Sequence, residues 1–170
     1  PAVVNAVVDA LAQLPCLGST PDGKRIHAGP LAVDSPLLRE IGRLREITYR
    51  AAGEGTGKRL DVDAYDTWYD HIVLWDPEAL EIAGAYRVAP GERVLAERGL
   101  SGFYTASLFR YPCSHLARLA QGMELGRSFV APRYQGSRSL DYLWLGIGAY
   151  LRTQPGVRYL LGPVSISADL

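Results

Sequence analysis

Residues Met123 to Leu151 read MELGRSFVAPRYQGSRSLDYLWLGIGAYL. The stretch begins with apolar residues typical of a strand. It then passes through a basic turn that contains a glycine and ends with the apolar spacing of an amphipathic helix. The first N–H groups of a helix are free and its N-terminus carries a partial positive charge, so both would face this turn. A strand, a basic turn and a helix in this order predict an anion-binding site.

The turn itself supplies the candidate anion-binding groups. Arg133 and Arg138 flank it, and each can make charge-assisted, bidentate hydrogen bonds to phosphate oxygens. Gln135, Gly136 and Ser137 lie between them and can offer backbone N–H groups. We therefore expect these five residues to bind the phosphate-containing arm of coenzyme A or of an acyl carrier protein.

Two strings in this stretch resemble a known family. RYQGSR, residues 133–138, resembles the acyl-donor loop of the GNAT acyltransferase superfamily: Gln or Arg, two residues, Gly, one residue, then Gly or Ala. Arg138 departs from the last position. ELGRSFVAPRYQG, residues 124–136, resembles the acyl-carrier-dependent N-acyltransferases, a branch that often carries the label hemolysin and includes the ornithine N-acyltransferases of lyso-ornithine lipid synthesis. More distantly, it resembles the acyl-homoserine-lactone synthases, which have a similar Glu-x-x-Arg strand.

The resemblance covers the chain from about Leu37 onward and implies an α/β fold of GNAT type. Such a fold has a mixed, mostly antiparallel sheet with helices on both faces. Its two central strands splay apart, and the acyl arm enters the gap between them. The pattern of predicted elements, antiparallel hairpins followed by one β-α-β crossover, agrees with this architecture.

The same resemblance implies transfer of a long acyl chain from acyl carrier protein or coenzyme A to a primary amine of an amino acid or amino lipid. The thioester is a co-substrate, so we expect no permanently bound cofactor and no metal. Two alternatives stay open: a short-chain acetyl-coenzyme A-dependent N-acetyltransferase, and a non-catalytic lipid- or carrier-binding domain that regulates a fused acyltransferase. Ile72, Leu74, Ala83, Ala85 and Phe129 are candidates for an acyl channel or for plain core.

Composition narrows the class of protein. The chain has 170 residues, 48% of them hydrophobic and 21% charged, which is typical of a globular domain. Its formal net charge is zero, which argues against broad nucleic-acid binding. Cys16 and Cys113 show no metal-binding spacing, and no apolar run reaches transmembrane length. We expect a cytoplasmic protein whose membrane association, if any, is a peripheral contact through a fused or neighbouring domain.

The pattern along the chain predicts two parts. Residues 1–34 are expected to form an N-terminal helix and a linker, with loop from Leu17 to Asp34 and a short strand near Leu31–Val33. Residues 35–170 are expected to form the acyltransferase domain, with its C-terminal part missing. The predicted elements there are a helix that begins at Ser35–Pro36 and ends near Gly53, strands at 71–75 and 80–88, a short helix at 114–121, a strand from Glu124, a helix at 139–151 and a strand at 157–165.

Acyl transfer to an amine needs a base and a group that polarises the thioester carbonyl. Glu124 on its apolar strand is the candidate base or ammonium ligand, and its alternative is a buried ion pair with Arg127 or Arg87. Backbone N–H groups near Phe129 and Val130 are candidates for polarising the carbonyl. Arg127 lies at an odd offset from Glu124, so the two face opposite sides unless a bulge intervenes. The resemblance implies a functional role for Arg87, whose alternative is a solvated strand end.

The acceptor site rests on the resemblance. It implies that an acidic pair in the cluster YDTWYDH, where Asp66, Asp70 and His71 lie, is near the acceptor. The alternative is that Asp70 caps the strand and His71 fills an edge position. Arg45 and Tyr49 are one helical turn apart, as are a comparable Arg and aromatic residue in the homoserine-lactone synthases, although a packed aromatic with a surface Arg is the other interpretation.

Overall fold

The computed structural model describes residues 2–164 and contains one six-stranded sheet in the order β1-β2-β3-β4-β5-β6. Every neighbouring pair is antiparallel except β5 and β6, which are parallel. The strands are β1 Cys16–Ser19, β2 Arg25–Pro30, β3 Asp70–Asp76, β4 Glu81–Pro90, β5 Gly122–Val130 and β6 Tyr159–Leu161. The helices are α1 Ala2–Ala12, α2 Pro36–Ala51, α3 Gly91–Arg98, α4 Leu116–Ala120 and α5 Ser139–Leu151.

Helices cover both faces of the sheet, as the GNAT-like α/β fold requires. α2 begins as the sequence predicts, because the Ser35 hydroxyl accepts a hydrogen bond from the Leu38 N–H at 3.5 Å and Pro36 follows it. α5 lies on the opposite face, where Gly146 lets the helix approach Ile72 of β3. Side chains alternate along a strand, so Ile72 faces α5 whereas His71 faces α2.

The last two strands separate soon after they meet. β5 and β6 pair at only three positions, the last being Glu124 with Leu161. β5 then continues to Val130, beyond the end of β6. The predicted splayed strand pair is therefore present, and it opens a gap in the sheet.

A β-bulge bends β5 beside this gap. Ala85 pairs with Phe129 and Arg87 pairs with Gly126, so two residues, 127 and 128, lie opposite the single residue between Ala85 and Arg87. Arg127 has φ of 48°, in the left-handed region that a side chain rarely adopts. The bulge overrides the simple alternation along β5, and the opposite-face prediction for Glu124 and Arg127 does not apply.

Most of the predicted elements are present, but the N-terminal linker is wrong. Residues 16–30 form the hairpin of β1 and β2, which pairs with β3 in the same sheet, and no strand forms at Leu31–Val33. The turn closes through hydrogen bonds between Thr20 and Lys24, and Gly23 adopts φ of 87°. Helix α3 was not predicted. The strand predicted at 157–165 is shorter, Tyr159–Leu161, and its last predicted residue lies outside the described part of the chain.

Length and apolar character decide whether a helix can span a bilayer. Among the described residues, none of the helices meets both requirements.

Candidate active site

A cavity of about 770 Å³ occupies the gap between β5 and β6. It reaches both faces of the sheet. Toward α2 its lining is polar and aromatic: Tyr49, Glu54, Arg87, Tyr104, Gly126, Arg127 and Ser128. Toward α5 and along β6 it is mainly apolar: Tyr86, Leu125, Trp144, Leu160, Leu161, Gly162, Pro163 and Val164. A ligand with one polar and one apolar end fits such a passage.

Beneath the polar side lies a set of charges that we call the arginine–aspartate cluster: Arg45, Arg87, Arg127, Asp61, Asp63 and Asp66. Arg45 donates to Asp66 at 2.8 Å, and both side chains are fully buried. Arg87, also buried, approaches Asp63 at 2.6 Å and Asp66 at 3.2 Å. Burial favours the neutral form of Asp66, but Arg45 and Arg87 outweigh it and lower the pKa of that carboxyl. Asp66 therefore holds two guanidinium groups in place.

Aromatic rings enclose the guanidinium of Arg87. Its central carbon lies 5.6 Å from the ring centroid of Tyr65, 5.1 Å from that of Tyr69 and 5.5 Å from that of Tyr104. These distances are typical of cation–π interactions, and the three rings shield the guanidinium from solvent. Although burial favours the neutral form, Asp66 and Asp63 raise the pKa of Arg87. The alternative of a solvated strand end is wrong for this residue.

Two members of the cluster, Arg87 and Arg127, line the cavity, and the Arg127 side chain is the more exposed of the two, 28% against 1%. Its guanidinium approaches Asp61 at 3.6 Å and Asp63 at 4.0 Å, and it lies 5.9 Å from the rings of Tyr49 and Tyr104. These contacts are longer than charge-assisted hydrogen bonds, and its buried Nε has no partner among the described residues. Burial also raises the pKa of Asp61. Arg127 therefore retains hydrogen-bond donors for an anionic ligand.

Glu124 is buried next to the cavity but does not line it. Its carboxylate accepts hydrogen bonds from the Tyr69 hydroxyl at 2.8 Å, the Thr105 N–H at 3.2 Å and the Thr105 hydroxyl at 2.5 Å. The Tyr69 oxygen in turn accepts the Tyr104 N–H at 2.8 Å. Within residues 2–164 Glu124 has no ion pair, so the predicted alternative of pairing with Arg127 or Arg87 is wrong. The carboxylate instead fixes the segment that places Tyr104 at the cavity.

His71 lies next to the arginine–aspartate cluster. It is fully buried, and its Nε2 lies 2.9 Å from the carbonyl oxygen of Asp66. A carbonyl only accepts, so Nε2 carries the proton and donates it. Burial, with the added repulsion of Arg45 and Arg87, lowers the pKa of His71 to about 4. His71 is thus a neutral residue of a central strand and not the edge residue of the alternative interpretation.

The structure does not bring Asp70 to this site. Its carboxylate lies on the other face of the sheet, where it accepts hydrogen bonds from the Tyr150 hydroxyl at 2.6 Å and from Arg93 at 3.0 Å. The prediction that Asp70 binds the acceptor is wrong, because neighbouring residues of a strand face opposite sides. Arg45, Asp66 and His71, which were predicted with it, do lie together.

A loop at residues 54–57 forms one wall of the cavity through Glu54. Glu46 of α2 holds this loop: its carboxylate accepts hydrogen bonds from the Thr56 N–H at 3.0 Å, the Thr56 hydroxyl at 2.6 Å and the Gly57 N–H at 2.9 Å. Hydrogen bonding from the Thr56 side chain lowers the pKa of Glu46 to about 2. The glycine-rich EGTGK segment is therefore anchored to α2.

The predicted donor loop, residues 133–138, lies at the N-terminus of α5. Gly136 adopts φ of 76°, and the Gln135 side chain donates to the Val130 carbonyl at 3.2 Å. In the described structure the N–H groups of residues 136, 138, 140 and 141 donate no hydrogen bond. Arg133 pairs with Glu81 at 2.8 Å, and Arg138 approaches Asp141 at 3.5 Å. Four free amides and two exposed arginines at a helix N-terminus suit an anionic ligand.

Phe129 does not contact the cavity. It is buried in the β4–β5 ladder and belongs to the hydrophobic core, as do the other four residues proposed for an acyl channel, Ile72, Leu74, Ala83 and Ala85. The alternative interpretation of plain core is the one that the structure supports. Val130 likewise packs against the core, and the residues of β5 that line the cavity are 125–128, which include the bulge.

Several residues of the cavity and of the cluster beside it were not among the predicted site residues: Glu54, Tyr104 and Trp144 line the cavity, and Asp61, Asp63 and Tyr65 contact the arginines of the cluster. The spacing of Asp61, Asp63 and Asp66 was a usable signal, because three acids in six residues near predicted arginines favour an ionic cluster. Within residues 2–164 the structure shows no group of three or more His, Cys, Asp or Glu side chains arranged to hold a metal ion.

Comparisons with known proteins identify the family of this chain. The family model of the acetyltransferase (GNAT) domain matches residues 44–145. A glycine N(alpha)-acyltransferase of Phocaeicola vulgatus is 44% identical over 146 residues, which cover 78% of this chain and 45% of that protein. An L-ornithine N(alpha)-acyltransferase of Brucella abortus is 39% identical over 127 residues, which cover 66% of this chain and 44% of that protein.

Among solved structures, the AHL synthase LasI aligns with a TM-score of 0.52 over 85% of this chain and 72% of its own, at 16% identity. At that identity the likeness concerns the fold. The chain spans less than half the length of the two curated relatives.

Proposed function

This chain belongs to the GNAT acetyltransferase-domain family, and we propose that it forms part of an N-acyltransferase that moves a long acyl chain onto the α-amino group of a small amino acid. The donor in this proposal is a thioester of acyl carrier protein or coenzyme A. The main support is the cavity between β5 and β6, which is charged toward α2 and apolar toward α5. Relatives whose names specify glycine and ornithine as acceptors support the choice of an amino acid.

The donor is proposed to enter from the α5 side. The free N–H groups at the start of α5, together with Arg133 and Arg138, would bind its phosphate groups. Leu125, Trp144 and Leu160 would then contact the apolar acyl chain where it enters the cavity. Each methylene buried there contributes about 0.8 kcal/mol, so a long chain gains more than an acetyl group.

The amino acid is proposed to occupy the α2 side. Arg127 has unused donors for its carboxylate, and Glu54 presents a carboxylate that can attract its ammonium group. The cluster beneath holds Arg127 close to Asp61 and Asp63, so the guanidinium is positioned before the acceptor arrives.

The chemistry then requires an unprotonated amine. In the proposed step Glu124 accepts one ammonium proton through a water molecule, and the amine nitrogen attacks the thioester carbonyl carbon. A C–N bond forms, the C–S bond breaks, and the thiol leaves with the second proton. Backbone N–H groups of the bulge at Arg127 and Ser128 are the candidates for polarising the carbonyl oxygen.

Acyl-transfer assays on the protein test this proposal. Acetyl and palmitoyl thioesters of coenzyme A and of acyl carrier protein are combined with glycine or ornithine, and the N-acyl products are identified by mass spectrometry. We expect palmitoyl transfer to exceed acetyl transfer. A preference for acetyl donors would support a short-chain acetyltransferase instead, and no transfer with any pair would support a binding domain.

Glu124→Gln separates a base from a structural carboxylate. If Glu124 takes the proton, turnover falls roughly a hundredfold or more while donor affinity stays the same. If it only anchors Tyr69 and Thr105, activity loss follows the loss of stability measured by thermal unfolding. A variant with full activity and normal stability would exclude both roles.

A further inference from the structure

A second surface lies outside the cavity, at residues 107–118, which we call the 107–118 surface. All of these residues except the half-buried Tyr111 are exposed. They include large apolar side chains: Leu108 is 51% exposed, Phe109 59% and Leu116 37%. None of the twelve residues lines the cavity between β5 and β6. The proposed acyl-transfer site therefore does not explain why these apolar side chains are exposed.

The same surface carries only positive charge. No Asp or Glu occurs between Glu97 and Glu124, whereas the stretch contains three arginines and a histidine. Of these, Arg110, His115 and Arg118 belong to the 107–118 surface, and none forms an ion pair in the part of the chain that the structure describes. The whole chain has zero formal net charge, so this is a local separation of charge.

The 107–118 surface is exposed although the chain is fixed at both of its ends. At one end Thr105 is buried, and its hydroxyl both accepts a hydrogen bond from Tyr111 at 2.8 Å and donates to Glu124 at 2.5 Å. At the other end Leu119 is 5% exposed and lies next to Gly91 of α3. The segment is fixed on both sides, and its middle is held toward solvent.

We propose that the 107–118 surface docks on an anionic lipid bilayer, with Leu108 and Phe109 inserted between headgroups and Arg110 and Arg118 on the lipid phosphates. Exposed aromatic and aliphatic side chains beside unpaired arginines, without any acid, have the composition of interfacial segments. Charge complementarity selects the anionic surface over a neutral one. The segment begins three residues after Tyr104, which lines the cavity.

The benefit of membrane docking rests on the proposed function: an amino acid with a long acyl chain is an amphiphile, and a site beside a bilayer can release it there. The exposure and charge of the surface do not depend on that reaction. The test therefore measures membrane binding alone, without substrates. Failure of acyl transfer would leave its outcome unchanged.

The experiment is co-sedimentation of the protein with vesicles of phosphatidylcholine alone and of phosphatidylcholine with phosphatidylglycerol in a three-to-one ratio. We expect binding to the anionic vesicles that weakens as salt is raised. Leu108→Ser/Phe109→Ser and Arg110→Glu/Arg118→Glu should each lower the partition coefficient at least about tenfold. Matched controls elsewhere on the surface, Val33→Ser and Arg39→Glu/Arg152→Glu, should leave it unchanged.

Thermal unfolding establishes that each variant is folded, and the single changes Phe109→Ser and Arg110→Glu replace any double variant that is not. Equal binding by the wild type and the surface variants would overturn the proposal, as would absence of binding to anionic vesicles. Binding to an acyl carrier protein is measured in parallel. If the surface variants lose that interaction and keep the vesicle interaction, the surface is a protein dock and the membrane proposal is wrong.

Discussion

The donor loop and the arginine–aspartate cluster both present arginines to the proposed substrates, but they hold them in opposite ways. In the donor loop the side chains of Arg133 and Arg138 are 67% and 75% exposed, and each pairs with one exposed carboxylate. In the cluster the side chains of Arg45 and Arg87 are 0% and 1% exposed and share Asp66. The loop can reorganise around a ligand, whereas the cluster is fixed before a ligand arrives.

This difference has an energetic consequence. An exposed pair contributes little to stability because water and salt screen it. A buried charge that loses its partner is left in a medium that solvates it poorly. Substitutions in the cluster should therefore affect folding first, and substitutions in the loop should affect donor binding alone.

The largest effect is expected for Arg87→Met. The change keeps much of the apolar bulk but removes the cation that contacts Asp63 and Asp66. Breaking a buried pair in this way costs about 3–5 kcal/mol in the free energy of unfolding. Urea unfolding followed by circular dichroism measures it. A loss below about 1 kcal/mol would mean that the cluster is solvated and resembles the loop after all.

A second effect comes from pH. The folded-state pKa of His71 is lowered to about 4, from 6.5 in the unfolded chain. Between these values the unfolded chain binds a proton that the folded protein does not. The free energy of unfolding should therefore fall as pH decreases from about 6.5 to 4, by about 3 kcal/mol.

Urea unfolding at several pH values tests this sign, and His71→Gln is the control because it cannot titrate. The slope of stability against pH in that window should become shallower by about one proton in the variant. An identical slope in both proteins would show that His71 already titrates normally, as an exposed histidine does.

A third effect belongs to the donor loop. Arg138→Ala removes an exposed guanidinium whose contact with Asp141 is 3.5 Å long. If it binds a donor phosphate, calorimetric affinity for coenzyme A should fall by about 1.5–3 kcal/mol while stability stays within about 0.5 kcal/mol. Unchanged affinity in this variant and in Arg133→Ala would remove the loop arginines from the donor site.

The smallest effect is expected for the pair Arg133 and Glu81. A double-mutant cycle with Arg133→Ala and Glu81→Ala should give a coupling energy close to the error of the measurement, since both side chains are exposed. The coupling energy should shrink further in high salt. A coupling energy as large as that between Arg87 and Asp66 would place the two pairs in the same class.

Local patterns predicted the fold where each element carries its own signal. Ser35 and Pro36 mark the start of α2, and the apolar run His71 to Trp75 predicts β3. The hairpin of β1 and β2 was missed because Gly18, Pro21 and Gly23 give it the composition of a loop. Pairing with β3 supplies the stabilisation that its own residues lack.

The position of the predicted donor loop at the start of α5 follows from local sequence, whereas the arginine–aspartate cluster does not. The donor loop follows a short motif, and the match of the GNAT family confirms the resemblance that RYQGSR indicated. The cluster is assembled from α2, the 61–66 segment, β4 and β5, so its partners are set by tertiary contacts. Arg127 shows what local sequence cannot predict. The direction of its side chain depends on a β-bulge, and no local pattern in β5 indicates that bulge.

The left-handed backbone of Arg127 lowers the thermostability of the protein at a residue that the proposed activity needs. A non-glycine residue in this conformation costs about 1–2 kcal/mol, which glycine would avoid. Arginine at this position thus gives up part of the folding free energy for a guanidinium at the cavity. Glycine alone would relieve the backbone but leave the buried Asp61 carboxylate without its cation, so laboratory evolution toward heat resistance should replace Arg127 and Asp61 together, and the resulting proteins would have a poorer acceptor site.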